Sequence, residues 1–388
     1  MKIVIDDKIP YIKSVFNNVA ETVFLPGAEI SNAVLCDADA LIIRTRTKCN
    51  KNLLQGSSVK FIATATIGYD HIDTEYCKST GIKWSNAPGC NAYSVQQYVI
   101  SALLNLFPNS VEELPKRTIG IIGLGNVGRK IYDMSTAFGM KILINDPPLL
   151  DASEDPQKIK EQYAGGQFVE FDKLVRESDI ITFHTPLIMS GNYKTYHLGN
   201  EKFFSMLKSD AIIINTSRGE VVDNQLLKKN LKNNRICDAV LDVWEHEPQF
   251  DKELLKLVHF GTPHIAGYSA DGKAKGTAMS VQALSRFFGF GLERWSPDNI
   301  PGPSRQIIEV TDSDISISET LQNIYNCSYN INDDDIMLRN HINEFENLRG
   351  NYPLRREPPA YTVRIPRVLS DNHLRKILKS IKFNIEIS

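Results

Sequence analysis

The stretch "RTIGIIGLGNVGRKIYDMSTAFGMKILIND", residues 117–146, alternates two β-rich runs with a glycine turn and a run of helical period. Its glycines at 123, 125 and 128 have separable jobs in a G-x-G-x-x-G turn. Gly123 makes the tight turn, Gly125 lets backbone approach a pyrophosphate, and Gly128 lets helix and strand pack closely. The second run ends in Asp146, 18 positions beyond Gly128. A carboxylate there accepts hydrogen bonds from the adenine-ribose hydroxyls and repels a 2′-phosphate, which favours NAD over NADP. The plainer alternative, a glycine turn in some other doubly wound fold, is weakened by the strand before it and the helix after it.

Outward from this unit the same alternation continues. "KIVID" (2–6), "ALIIR" (40–44), "FIATA" (61–65) and "IKWSN" (82–86) read as strands before it, and "SVQQYVISALLNLF" (94–107) as a helix linking two domains. "DIITFHTP" (179–186), "DAIIINTSRG" (210–219) and "DAVLDVWE" (238–245) read as strands after it. Strands separated by helical stretches predict parallel α/β sheets. At 388 residues the chain suggests two or three domains. A net charge of −2 gives no whole-chain reason to bind nucleic acid or an anionic membrane. Cys36, Cys49, Cys77, Cys90, Cys237 and Cys327 are scattered singly, which suggests free thiols and no zinc site. No apolar run reaches the roughly 18 residues of a membrane helix, and the start is unlike a signal peptide, so the chain reads as cytoplasmic.

In open α/β sheets ligands bind at the carboxyl ends of the strands. "NTSRGEVVD" (215–223) puts Arg218 at such an end, where a guanidinium can grip a carboxylate. "LDVWEHEP" (241–248) offers Asp242, Glu245 and Glu247, and "TPHIAG" brings His264. An imidazole bonded to a carboxylate is held in one tautomer and can take a hydroxyl proton while hydride leaves the carbon. A lone histidine beside apolar residues is more often a packed one. His71, His184, His197, His246 and His259 are rivals, but none combines a strand-end context with a following glycine loop. Arg44, Arg46 and Lys48 form a compact cationic stretch. If their strand continues, Arg44 and Arg46 share one face and Thr45 takes the other. Lys273 and Lys275 are weaker candidates for an anion.

Taken in order, "GLGNVG", "HTPL", "NTSRGEVVD", "LDVWEHEP" and "TPHIAGYS" resemble the D-2-hydroxyacid dehydrogenase family over residues 1 to about 290. The resemblance implies an NAD-dependent oxidoreductase with Arg218, Glu247 and His264 as the catalytic set. It implies NAD contacts from Gly123, Gly125, Asn126, Val127, Gly128, Asp146, Thr185, Asp242 and Gly267, and no metal. Substrate contacts are expected from Thr45, Thr66 and Tyr268, with backbone amides near Ile67 and Gly68 offered to the carboxylate and Arg44 and Arg46 beside the phosphate. Relatives more often carry serine at the Thr45 position, and the hydroxyl survives. Within that family, "RTRTK" (44–48), "TATIGYDHID" (64–73), "APGCNA" (87–92) and "DPP" (146–148) resemble the members whose partner is a small phosphorylated 2-hydroxy acid of four carbons, and the resemblance implies such a substrate here. A substrate one carbon shorter and a non-catalytic NAD-sensing scaffold or corepressor stay open.

The expected architecture is α/β, with two Rossmann-like doubly wound parallel-sheet domains plus a small C-terminal α+β dimerisation domain. Its divisions are 1–95 with 266–290 for substrate, 96–265 for NAD, and 291–388 for assembly into a homodimer. The last part carries none of the catalytic patterns. Its three aspartates, 333–335, read as an acidic helix start rather than a metal site.

Overall fold

Short runs of isoleucine, valine and leucine become buried parallel strands, as their β-branched packing favours. In the computed structural model, which describes residues 1–311, 315–367 and 372–388, one unit comprises Met1–Asn91 with Tyr268–Pro301. It holds β1 (Lys2–Asp6), β2 (Glu21–Leu25), β3 (Ala40–Ile43), β4 (Phe61–Thr64) and β5 (Lys83–Ser85). All pair parallel in the order β2-β1-β3-β4-β5, a flavodoxin-like order. The sequence pattern misses β2, "ETVFL", because this edge strand stays at least partly exposed along its whole length. The helix Ala270–Phe288 returns to this unit, where Val281, Ala283 and Leu284 share a core with Ile3, Ile5 and Ile42.

A second unit comprises Ala92–Gly267 with Gly302–Ser388. It holds β6 (Thr118–Ile122), β7 (Lys141–Asn145), β8 (Gly166–Phe168), β9 (Ile180–Phe183), β10 (Ile212–Asn215), β11 (Asp238–Leu241) and β12 (Phe260–Gly261). The order β12-β11-β10-β9-β6-β7-β8 is parallel throughout. Read from the other edge it is the Rossmann arrangement with one strand added. The order reverses between β6 and β9, which is where such sheets open a ligand crevice.

A third sheet joins β13 (Ile307–Glu309), β14 (Thr362–Ile365) and β15 (Asn384–Ile387), also parallel. The sequence reading sets residues 291–388 apart, yet 302–388 group with the dinucleotide sheet. The reason is packing: Leu338 and Phe345 belong to its hydrophobic core, and Asp335 accepts the Gly261 N–H at 2.7 Å. Arg339 donates to the Leu255 and Val258 carbonyls at 2.7 and 2.9 Å. Asp333 and Asp334 do lie in the first turn of a helix, Ile331–Asn340. Asp334 is not merely solvated, because it accepts the Tyr329 and Tyr352 hydroxyls at 2.9 and 2.7 Å. Among the described residues no group of acids, histidines and cysteines is arranged to hold a metal. No described helix is long and apolar enough to cross a membrane.

Candidate active site

The turn after β6 follows from steric demands. Gly123 has φ 89°, the left-handed region, and a Cβ there would sit 2.6 Å from the His184 carbonyl oxygen. At Gly128 a Cβ would lie 2.0 Å from the Gly123 carbonyl oxygen, whereas one at Gly125 meets nothing within 4 Å. Gly128 is therefore sealed inside the fold, and Gly125 faces open space. Asn126 and Val127 begin the helix Asn126–Ala137, whose first turn no side chain caps. Uncapped N–H groups with the helix dipole behind them suit a pyrophosphate. Thr185 Oγ1 is buried with no hydrogen-bond partner, a polar atom awaiting one. The residues present fit a dinucleotide.

Two of the residues expected to touch NAD are also bonded within the protein. Asp146 accepts the Leu124 N–H at 2.6 Å on one oxygen and the Leu149 N–H at 3.0 Å on the other. It thereby ties the glycine turn to the next helix, and each oxygen keeps a lone pair for a ribose hydroxyl. Asp242 is 1% exposed. Its Oδ1 accepts Thr262 Oγ1 and the Ile265 N–H, both at 2.7 Å, and its Oδ2 accepts the Ala266 N–H at 2.9 Å. Burial raises its pKa, against the pull of His264, Thr262 and the two amides. Its first task is to hold the backbone beside His264 and Gly267.

His264 stands at φ 58°, an unusual conformation for a residue with a Cβ. Its Nδ1 bonds Glu247 Oε2 at 2.7 Å, and Glu247 Oε1 accepts the Trp244 N–H at 2.9 Å. Burial pushes the Glu247 carboxyl up, but the charge and hydrogen bond of His264, the Trp244 amide and Arg349 outweigh it. The net pKa is below the ordinary value. Arg218, Glu220, Trp244, His246, Glu247 and His264 line one cavity of about 210 Å3. Arg218 leaves β10 on a turn built by Asn215, whose Nδ2 donates to the Arg218 carbonyl at 2.8 Å and whose Oδ1 accepts the Ser217 N–H and hydroxyl. The next residue, Gly219, packs so tightly that a Cβ would lie 2.0 Å from the Trp244 carbonyl carbon. Backbone contact thus fixes the Arg218 turn against the Glu247 loop. Gly219 escapes the sequence reading because the backbone it meets, at Trp244, lies 25 positions away, and Asn215 because its bonds only shape the turn. His246 was set aside as a rival, yet it lines the same cavity, at φ 64°.

The other rivals are placed differently. Desolvation pushes the His184 pKa down to about 3, and its Nε2 bonds Thr182 at 2.8 Å. His197 and His259 pair with Glu245 and Asp238, each at 2.7 Å. Pairing with a carboxylate therefore does not single out His264, and neither does lining the Arg218 cavity, which His246 shares; the two together do.

In the first unit, the candidate substrate residues follow β3 and β4. The strand stops at Ile43, and a turn closed by Thr47 N–H to the Arg44 carbonyl replaces its continuation. Thr47 is buried and its hydroxyl donates to the Gly27 carbonyl at 2.9 Å. The expected alternation of Arg44 and Arg46 against Thr45 therefore does not hold, and Thr45 and Arg46 are both exposed. Thr66 Oγ1 donates to the Gly68 carbonyl at 2.9 Å and lies 2.7 Å from Thr64 Oγ1, which in turn meets His71 Nε2 at 3.0 Å. Among the described residues the N–H groups of Ile67 and Gly68 have no protein acceptor. Lys273 sits over the Tyr268 ring at 5.0 Å. Burial, then the nearby Arg44 charge, lower the Lys273 pKa.

Residues 104–266 match the NAD binding domain of the D-isomer specific 2-hydroxyacid dehydrogenases, and residues 300–378 match a domain of unknown function. The erythronate-4-phosphate dehydrogenase of Bacteroides thetaiotaomicron is 50% identical over 368 residues, 94% of this chain and 99% of that protein. That of Escherichia fergusonii is 43% identical over 387 residues, 99% of this chain and 98% of that one. Among solved structures, the D-lactate dehydrogenase of Aquifex aeolicus complexed with NAD and lactic acid has a TM-score of 0.61 at 25% identity. It covers 76% of this chain and 97% of its own. An acyclic imino acid reductase in complex with NADPH and D-Arg also has a TM-score of 0.61, at 28% identity over 74% of this chain and 97% of its own.

Proposed function

This chain belongs to the erythronate-4-phosphate dehydrogenase family, within the D-2-hydroxyacid dehydrogenases, and from that premise we propose that it oxidises 4-phospho-D-erythronate at C2 to (R)-3-hydroxy-2-oxo-4-phosphooxybutanoate. The 123–128 turn, Asp146, Thr185, Asp242 and Gly267 would hold NAD, which would supply the acceptor for the hydride leaving C2. His264 Nε2 takes the proton of the 2-hydroxyl. Glu247 keeps Nδ1 protonated and steadies the imidazolium that forms. Arg218 grips the substrate carboxylate and polarises the oxygen at C2. The amides of Ile67 and Gly68 are assigned to the same carboxylate. Thr45, Thr66 and Tyr268 are assigned to substrate hydroxyls, and Arg44 and Arg46 to the phosphate. The work belongs to pyridoxal 5′-phosphate biosynthesis in the cytoplasm.

The observation that carries this reading is that Arg218 and the Glu247–His264 pair line one cavity. Steady-state kcat/KM with NAD on 4-phospho-D-erythronate and on 3-phospho-D-glycerate tests it. Preference for the four-carbon acid is expected, and a clear preference for the shorter one overturns the assignment. We assign homodimer assembly to the C-terminal residues, where Ile307, Ile336, Met337 and Leu354 expose large apolar side chains. Light scattering that finds a monomer at micromolar concentration would overturn this.

A further inference from the structure

The backbone N–H and carbonyl groups of Ile265 and Ala266, which follow His264, all have hydrogen-bond partners. The Ile265 and Ala266 N–H groups donate to Asp242. The Ala266 carbonyl accepts Ser94 Oγ at 2.8 Å, and the Ile265 carbonyl accepts Arg355 Nη1 at 3.4 Å. Arg355 is 5% exposed although it carries a permanent charge. Its Nη2 donates to the Ser94 carbonyl at 2.5 Å, its Nε donates to Gln97 Oε1 at 2.9 Å, and its guanidinium stacks 3.7 Å from the centroid of the Tyr329 ring. Gln97 Nε2 donates back to the Arg356 carbonyl at 3.2 Å. One guanidinium thus fixes both the loop after His264 and the helix residue, Ser94, that clamps the same loop.

A buried arginine is costly to desolvate, and one that serves only packing is readily replaced by an apolar side chain. Here one donor on each of the three guanidinium nitrogens meets backbone or an amide beside the His264 loop, and a further hydrogen bond goes to the Tyr352 side chain. His264 itself is held at φ 58°, a conformation that persists only where the surroundings over-determine it. We propose that Arg355, contributed by the C-terminal segment, is a positioning residue for proton transfer: it holds the Ser94–Ile265–Ala266 clamp that keeps His264 Nδ1 on Glu247. The proposal rests on His264 being the base. It gives residues beyond 300 a part in catalysis, which the sequence reading denied them.

The test compares R355K, which keeps the charge but loses the planar fork, with S94A, which removes one clamp bond and leaves no large void. The first readout needs no substrate: the downfield proton NMR resonance of the His264 Nδ1–H, assigned by its loss in H264N. It is expected to shift or broaden in both variants. With 4-phospho-D-erythronate and NAD, kcat should fall about tenfold to a hundredfold in R355K, less in S94A, with KM values near wild type and a larger solvent deuterium isotope effect. A merely structural role would lower the melting temperature without that split. Wild-type resonance and kcat in both folded variants overturn the proposal; should R355K not fold, an unaltered S94A does so alone. A wild-type chain that fails to oxidise the acid overturns the functional reading instead, and leaves the resonance test standing.

Discussion

His264 with Glu247 and His197 with Glu245 are two imidazole–carboxylate pairs in one unit, and each closes at 2.7 Å. Around His197 the second ring nitrogen faces Asp223 at 3.5 Å, the ring stacks on Tyr196, and the other Glu245 oxygen caps the Asn224 N–H at 2.8 Å. Around His264 the pair is braced just as firmly, through Trp244, but among the described residues Nε2 has no protein partner and the cavity also contains Arg218. The first pair is closed on both sides and ties loops together. The second is closed behind and open in front, which is what a proton acceptor needs. The glycine turn repeats the contrast, with Gly128 sealed against the Gly123 carbonyl and Gly125 facing open space.

The sharpest way to break this comparison is H264N beside H197N. The first should lose about 10² to 10⁴ in kcat/KM while binding NAD. The second should keep kcat/KM within a few-fold and show its cost in melting temperature. Equal losses would mean that the open nitrogen is not what matters. Next comes the glycine pair. G128A must displace backbone, so a loss of about 1 to 3 kcal/mol is expected from denaturant unfolding, with NAD binding impaired as well. G125A should unfold like wild type but bind NAD about tenfold more weakly in calorimetry, since its Cβ enters the space reserved for the cofactor. Unimpaired NAD binding in G125A would refute the assignment of that space.

A smaller effect is expected in the pH dependence of stability. Glu247 has a folded pKa below its ordinary value, so its contribution is present above about pH 4.3 and is lost as pH falls through the lower folded value. Asp334 is the opposite case: burial, against Tyr352, Arg355 and Tyr329, raises its pKa to about 6. The folded state holds that proton longer than the unfolded chain does. Stability from Asp334 is therefore present below the unfolded value of about 3.9 and is lost as pH rises toward 6. Melting temperatures between pH 3 and 7 should show the acid-side dependence reduced in E247Q and the decline from pH 4 to 6 flattened in D334N. Parallel curves for wild type and D334N would show that Asp334 ionises alike in both states.

Much of the site was legible because its residues sit at the ends of apolar strands. Arg218 after "IIIN" and Glu247 after "DAVL" each follow a run readable as a strand, whereas the two-residue β12 before His264 is seen only in the structure. The alternation of Arg44 and Arg46 against Thr45 depends on the strand continuing past Ile43, and it does not. There the buried Thr47 and its bond to Gly27, 20 residues earlier, bend the chain into a turn. The resemblance implies Asp242 as a cofactor contact, and the structure adds three bonds to residues 20 to 24 positions later. Arg355 left no local signal, since its partners Gln97 and Ser94 lie 258 and 261 positions away.

By itself the sequence determined the parallel α/β architecture, the dinucleotide turn and the residue types at the strand ends. These depend on periodicity and on steric rules within a few residues, which any stretch of chain carries with it. Only the tertiary structure decided which of several acid-paired histidines shares a cavity with Arg218, and that Arg355 of the C-terminal segment bonds the loop behind it. Those outcomes depend on which buried polar groups meet across hundreds of positions. Each such group must find a partner on leaving water, and packing, not spacing, selects that partner.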